Sequence, residues 1–424
     1  MRIRKITLCL IFILFLGSGT LQSQVFDPSL YKINKFGYTS SSICRKCHEG
    51  LYNYWIDSMH ARSYEDPIFQ IAYLKAQAKE GEKIKEYCLS CHSPTTRITK
   101  DYGMNRKISH EGVTCDFCHT ITEVDLSEEE PFTYHLGITK YGPYHEVESP
   151  VHQTTYSKIH TDSKFCAGCH EQSSKVAPHI KVLGTYSEWK ESPYSAQGIH
   201  CQNCHMPNVI DIPIVKPEIK KSDKLATAHE FMGGHSEIRL EKAAALTSHL
   251  KRNGNKIEVT VYITNKESGH RLPTGTPARK VILTVNLKDK DGKQLAERKK
   301  VYQKVLINGY GEILDDIADM LLKSVAIKSD NRIAPKETRK EEFQFDIPRG
   351  VKDIIVESIL KYEFETPVVM TRSMVVEMAR DVKSSSQKGW VFFRGSRGWI
   401  IGMFFFFFLG ALIVYFIFKL FSSK

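Results

Sequence analysis

Cysteine and histidine recur together in one arrangement, two thiols three positions apart with an imidazole directly after the second. It occurs at Cys44, Cys47 and His48 (CRKCH), at Cys88, Cys91 and His92 (CLSCH), and at Cys115, Cys118 and His119 (CDFCH). Two more copies stand at Cys166, Cys169 and His170 (CAGCH) and at Cys201, Cys204 and His205 (CQNCH). Two thiols at this spacing can bond the two vinyl groups of one porphyrin, and the adjacent His then reaches the iron from the same side. Zinc also takes paired thiols, but a zinc knuckle does not require a His after each second Cys. Five copies of the whole word point to five covalently attached c-type haems, with His48, His92, His119, His170 and His205 as proximal iron ligands. The chemistry implied is electron movement. Ten of the 11 Cys are thereby used. The remaining one, Cys9, lies in an N-terminal apolar run and is given no role.

What such irons do depends on the sixth position. The chain has 17 His, so twelve lie outside the motifs, more than five irons need. Spacing ranks them. His60 follows His48 by twelve residues, on a helix that carries it away from its own iron and toward a neighbouring haem. His110 precedes the third motif in SHEGVTCDFCH, and His152 and His160 lead into the fourth in SPVHQTTYSKIH. His229 follows the fifth in AHEFMGG, where Gly233 and Gly234 permit close backbone approach to a ring. These five are the distal candidates, with His235 and His145 behind them. Met59, Met104, Met206 and Met232 could donate a thioether, but a Met beside a porphyrin is more often packing. His270, in GHRLPTG, stands in a fixed loop between strands that either leans on the haem domain and meets a haem edge or, the favoured reading, is structural.

The elements that must hold these residues are short. Residues 49–64 and 68–80 carry apolar side chains at helical spacing, the second ending near Gly81. Residues 93–163 are interrupted by Gly and Pro and read as mostly loop, with porphyrin rings supplying the apolar core. A short helix is expected at 185–194, an extended connector at 210–221 and a helix at 236–250. The texture then changes. Residues 256–264 and 280–287 alternate with period two, DKDGK at 289–293 supplies a turn, and 342–347 and 354–365 continue the strand pattern. These predict an antiparallel β-sandwich. Residues 312–327 fit a helix or an amphipathic excursion equally.

The ends suggest a compartment. Residues 1–24 have the basic start, apolar stretch and small residues of a secretory signal. Residues 381–397 read as a polar linker, and 398–420, with Phe404–Phe408, as one membrane-spanning helix. The domain plan is therefore a signal (1–24), a mainly α or irregular pentahaem cytochrome c domain (25–250), the β-sandwich (251–380), the linker and the transmembrane helix. Covalent haem attachment takes place outside the cytoplasmic membrane. The expectation is a protein of a bacterial cytoplasmic membrane with its globular part on the periplasmic or exoplasmic side. The net charge of +11 does not imply nucleic acid, because five haems would bring roughly ten propionates for Lys and Arg to neutralise.

The chain resembles the cytochrome c-554 and hydroxylamine oxidoreductase-like superfamily of multihaem cytochromes. The resemblance rests on EGVTCDFCH (111–119), FCAGCH (165–170), EWKESPY followed by CQNCHMP (188–207) and HEFMGGH (229–235), and covers roughly residues 41–250. GHRLPTG and its following β region look like the C-terminal domain of membrane-associated members. The resemblance implies closely stacked haem pairs, mainly bis-His, with His60, His110, His152, His160 and His229 as distal ligands. The chain lacks the Lys-for-His motif of pentahaem nitrite reductases. It also has fewer motifs than hydroxylamine oxidoreductases, whose catalytic haem is cross-linked to a Tyr.

The function expected is a membrane-anchored electron relay between respiratory partners, such as a quinol-oxidising complex and a soluble cytochrome. Two alternatives fit the same residues. One is an oxidoreductase acting on a small nitrogen or sulfur compound at a five-coordinate haem. The other is a haem-bearing docking subunit of a larger membrane complex.

Overall fold

Asp66 starts the first long helix by accepting a hydrogen bond from the Phe69 N–H at 2.9 Å, and Pro67 occupies the first helical position, where its missing N–H is harmless. The helix runs Pro67–Glu80 and stops at Gly81, which adopts φ +73°. A second helix, Lys83–His92, follows at once and ends on the second motif. The computed structural model describes residues 27, 31–217, 219, 223–364 and 374–385. The expected signal segment (1–24), the spanning helix (398–420) and linker residues 386–397 lie outside the described residues. Among the described residues, no helix is long and apolar enough to cross a membrane.

The haem-motif half is made of short pieces. Helix Glu49–Ile56 is half the length its periodicity suggests, and residues 57–65 continue as turns. The His60 carbonyl in this turn accepts from the Val113 N–H at 2.9 Å as well as from Ser63, tying the turn to the segment before the third motif. Residues 93–163 are mainly loop, with two-stranded patches at Ile121–Val124 with Phe132–Tyr134 and at Thr139–Gly142 with Gln153–Tyr156. The expected helix at 185–194 is Thr185–Lys190, followed by a separate turn at Pro193–Ala196.

The helix expected at 236–250 is a second correction. Only Glu237–Ala243 is helical; Ala244–Asn253 is a strand. It pairs antiparallel with Lys256–Asn265, from Ala244 opposite Asn265 to Asn253 opposite Lys256. This pairing, closed at Gly254 with φ +59°, overrides the helix preference of the Ala run. The β-rich half therefore begins near 244 rather than 251.

Two antiparallel sheets build that half. Thr338–Asp346, Lys256–Asn265 and Ala244–Asn253 form one, in that order. Gln294–Tyr302, Arg279–Asp289, Ile354–Phe364 and Met374–Ser384 form the other. Ile257, Val259, Val261 and Ile263 from the first share one core with Val281, Leu283, Val285, Leu287, Val356 and Leu360 from the second. Each such side chain stabilises the fold by about 1.5–3 kcal/mol when taken from water. The last strand reaches Ser384, so the start of the expected linker at 381 is ordered sheet. Its polar composition misleads because it is an edge strand, with Arg380 ion-paired to Glu357 on its neighbour.

Residues 303–330 reach back to the motif half. Lys304–Ile307 pairs with Ala326–Asp330, and helix Ile317–Lys323 stands between them. Its Ala318 and Leu322 pack on Ala76 and Ile84. Lys75 and Lys79 reach Asp316 and Asp319 at 3.0 and 2.8 Å. The excursion is thus a short helix that clasps the first two long helices.

Candidate haem centres and axial ligands

The local structure of each motif follows from its spacing. Cys115–Cys118, Lys164–His170 and Cys201–His205 are helical, and the second motif ends helix Lys83–His92. Residues three apart on a helix share a face, so both thiols of a pair point the same way and the His stands beside them. Thr114 caps the third motif by accepting from the Phe117 N–H at 3.0 Å. Ser163 Oγ accepts from the Cys201 N–H at 3.0 Å and ties the fourth motif to the fifth.

The motifs converge on one partly open cavity of about 1670 Å³, lined by all five motif histidines. Thiol contacts record which motifs adjoin. Cys44 meets Cys115, Cys91 meets Cys169 and Cys166 meets Cys201. Cys118 and Cys169 pack around one apolar cluster. The first motif therefore neighbours the third, the third neighbours the fourth, and the fourth adjoins both the second and the fifth.

Four motif histidines have Nδ1 fixed by a backbone carbonyl: His48 by Ile214 at 2.6 Å, His92 by Ser63 at 2.9 Å, His119 by Tyr141 at 2.6 Å and His205 by Met232 at 2.7 Å. A carbonyl on Nδ1 fixes the tautomer and leaves Nε2 for a metal. Burial pushes His48, His170 and His205 down to about 4 and also lowers His92 and His119. The rings are thus neutral near pH 7, the form that binds iron.

Across the cavity three histidine pairs have nearly one separation. Ring centres are 6.2 Å apart for His48 and His152, 6.3 Å for His60 and His170, and 6.4 Å for His205 and His270. Two imidazole nitrogens, each about 2 Å from a shared metal, put ring centres roughly 6 Å apart. His60 Nδ1 is buried with no hydrogen-bond partner, the kind of orphaned atom a bound group would satisfy. These residues fit haem iron.

The five distal candidates fare differently. His60 and His152 face motif histidines as above. His229 lines the cavity with Nδ1 on the Thr227 carbonyl at 2.7 Å; burial lowers it to about 4, and His119 and His48 are its neighbouring imidazoles. Phe231, at φ +50°, is wedged 4.2 Å from His60 and 5.7 Å from His229. His160 lies beside His119, ring centres 5.6 Å apart, with Nε2 on the Cys118 carbonyl at 3.1 Å. Its ring is 17° from parallel to that of His119, it lines the cavity, and its Nδ1 is buried without a hydrogen-bond partner among the described residues, so that nitrogen is the one open to a metal. His110 is exposed, with Nε2 on the Met104 carbonyl at 2.8 Å, and is not among the residues that line the cavity. His145 is exposed and stacks on Tyr156, and His235 lies edge-on to Phe364. Sequence reasoning ranked His160 and His110 by closeness to a motif, which says nothing of ring direction. It weighed His270 at a haem edge but favoured a structural loop, because that loop stands far along the chain from His205.

Among the described residues, no second imidazole faces His92. Its ring is stacked on Phe69 at 3.7 Å.

A family model described as Cytochrome c554 and c-prime matches residues 43–120, which hold the first three motifs. None of the curated proteins matches the chain. Among solved structures, a penta-heme cytochrome c552 from Thermochromatium tepidum is similar, with a TM-score of 0.67 and 23% identity over 82% of this chain and 99% of that one. At that identity the likeness concerns the fold. A putative ApaA protein from Bordetella pertussis aligns with 34% of this chain and 94% of its own, at 13% identity and a TM-score of 0.19, too low to carry an argument.

Proposed function

We propose that this multihaem c-type cytochrome, whose haems are bound covalently, relays electrons between redox partners through mainly bis-His irons. The observation that carries the proposal is the trio of cross-cavity histidine pairs at 6.2–6.4 Å. The haems supply one-electron carriers whose potentials answer to ligand, hydrogen bonding and burial. The chain does the rest. Carbonyls of Ile214, Ser63, Tyr141 and Met232 orient the rings, and two filled axial positions keep substrates off the metal. Motif contacts that run first to third to fourth, then to second and fifth, give the charge a continuous route. In this reading His152 caps the first iron, His60 the fourth and His229 the third.

The charge pattern and apolar runs of 1–24 and 398–420 support a single C-terminal anchor with the globule on the periplasmic or exoplasmic side. A quinol-oxidising complex and a soluble cytochrome are the partners that such an anchor suits. Salt washing separates the cases: an anchored protein stays with the membrane.

A second reading, an oxidoreductase acting on a small nitrogen or sulfur compound, draws on His92, which faces no second imidazole among the described residues. Elsewhere in the same cavity, near His170 and His270, Arg279 Nε and Tyr362 Oη are buried without partners among the described residues and could hold an anion and deliver a proton. Ferric EPR on purified holoprotein tests the relay. The relay predicts that low-spin irons dominate, whereas mostly high-spin irons with carbon monoxide bound on reduction would reject it.

A further inference from the structure

We propose that His270, on a loop of the β-rich half, is the second axial ligand of the fifth haem, and that Glu188 of the motif half positions it. This goes beyond the relay reading and rests on it for the haem at Cys201 and Cys204.

The His205 and His270 rings are 6.4 Å apart and 13° from parallel, the most nearly parallel of the three cross-cavity pairs. Both present the same nitrogen. His205 Nδ1 is held by the Met232 carbonyl at 2.7 Å and His270 Nδ1 by the Arg271 carbonyl at 3.1 Å, so each Nε2 is left over. A chance encounter would not leave both rings with this matching arrangement in an apolar cavity.

The loop is clamped from both halves. From the β side, Asn265 Nδ2 donates to the His270 carbonyl at 2.9 Å, and Leu272 exchanges backbone hydrogen bonds with Ile333 at 2.9 and 3.1 Å. From the motif side, Glu188 accepts from the Arg271 N–H at 3.2 Å and from Thr274 Oγ1 at 2.6 Å. Glu188 also ion-pairs with Arg332 at 2.7 Å, and Arg332 Nη1 donates to the Pro273 carbonyl at 3.2 Å. Glu188 lies on helix Thr185–Lys190, shortly before the fifth motif, so one short segment sets both the attachment site and the ligand opposite it. A buried carboxylate that collects a loop N–H, a loop hydroxyl and a guanidinium fixes that loop far better than surface contacts do. The β-rich half is thus part of a redox centre rather than an appendage.

The test uses full-length holoprotein. His270→Ala should convert one of the five irons from low to high spin in ferric EPR and add one carbon monoxide-binding haem on reduction; added imidazole should reverse both. His270→Met, which keeps a ligand in place, should give that iron a sulfur-to-iron charge-transfer band in the red. Glu188→Gln, with His270 intact, should produce a high-spin fraction at the same iron, an effect that loss of packing alone would not confine to one centre. An unchanged spin count in His270→Ala, together with no new band in His270→Met, overturns the proposal. Peptide mass mapping keeps it distinct from the relay reading. Haem on Cys201 and Cys204 with unchanged ligation defeats this proposal alone, whereas no haem on that pair defeats the relay reading and this with it.

Discussion

Glu188 and Arg332 form an ion pair at 2.7 Å between the motif half and the β-rich half, with only 8% and 4% of their side chains exposed. Arg332 has a second carboxylate, Asp330, also at 2.7 Å. A pair this deep holds two charges out of water, so removing one partner strands the other. Breaking such a pair costs about 3–5 kcal/mol, while replacing both partners with apolar groups can be nearly neutral. Arg332→Met should therefore lower the free energy of unfolding by about 3–5 kcal/mol in denaturant titrations. The double change Arg332→Met, Glu188→Gln, whose amide oxygen can still accept from the Arg271 N–H and the Thr274 hydroxyl, should recover part of the loss. A single variant within about 1 kcal/mol of the wild type would mean that the pair is not buried in solution.

The distal ligands separate by substitution. His60→Ala, His152→Ala and His229→Ala should each turn one low-spin iron high-spin, visible in ferric EPR. His160→Ala is expected to be silent while Nε2 stays on the Cys118 carbonyl, the buried Nδ1 being its one nitrogen without a partner among the described residues. His110→Ala should also be silent, since its ring is exposed and does not line the cavity. A new high-spin iron in His160→Ala, with none in His229→Ala, would exchange their roles.

Gly112 adopts φ +63°, and a Cβ there would stand 2.4 Å from the His60 carbonyl oxygen and 2.6 Å from that of Ala61. The neighbouring Val113 is the residue whose N–H holds His60. Gly112→Ala combines left-handed strain with overpacking and should cost about 2–4 kcal/mol. Because the displaced turn carries His60, the same variant should raise the high-spin fraction. Stability loss without any change in ligation would show that the turn shifts without moving the ring.

Lys304 gives a pH signature. Its side chain is buried, with Nζ donating to the carbonyls of Lys181 and Val182 at 3.0 and 3.3 Å. Burial, with nearby Arg332 adding to it, pulls its pKa from 10.5 down to about 8. The unfolded chain then binds this proton more tightly than the folded one between those values. Stability from this group rises as pH climbs through that window, by roughly 3 kcal/mol in all, and the penalty is fully present below it. Lys304→Met abolishes the slope. The stability difference between wild type and variant should change steadily between about pH 8 and 10.5, and a constant difference would contradict the depressed pKa.

The parts legible in the sequence were those governed by local chemistry. Five repeated motifs declared the cofactor, Asp66, Pro67 and Gly81 bounded one helix, and alternation marked Lys256–Asn265 and Arg279–Asp289. What escaped depended on partners distant in the chain. Three alanines read as helix, but Ala244–Asn253 gains more from pairing with its neighbour strand. His60 lies beyond its helix, in a turn whose carbonyl is tied to Val113, fifty-three residues further along the chain. The orientation of His160 and the reach of His270 are matters of three-dimensional direction, for which spacing along the chain carries no information.

Protein-film voltammetry of the full-length holoprotein bears on the relay itself. The relay predicts reversible one-electron couples for five haems, unchanged when nitrite or sulfite is added. A sustained catalytic current with either anion would contradict it and place the chemistry at an open iron instead.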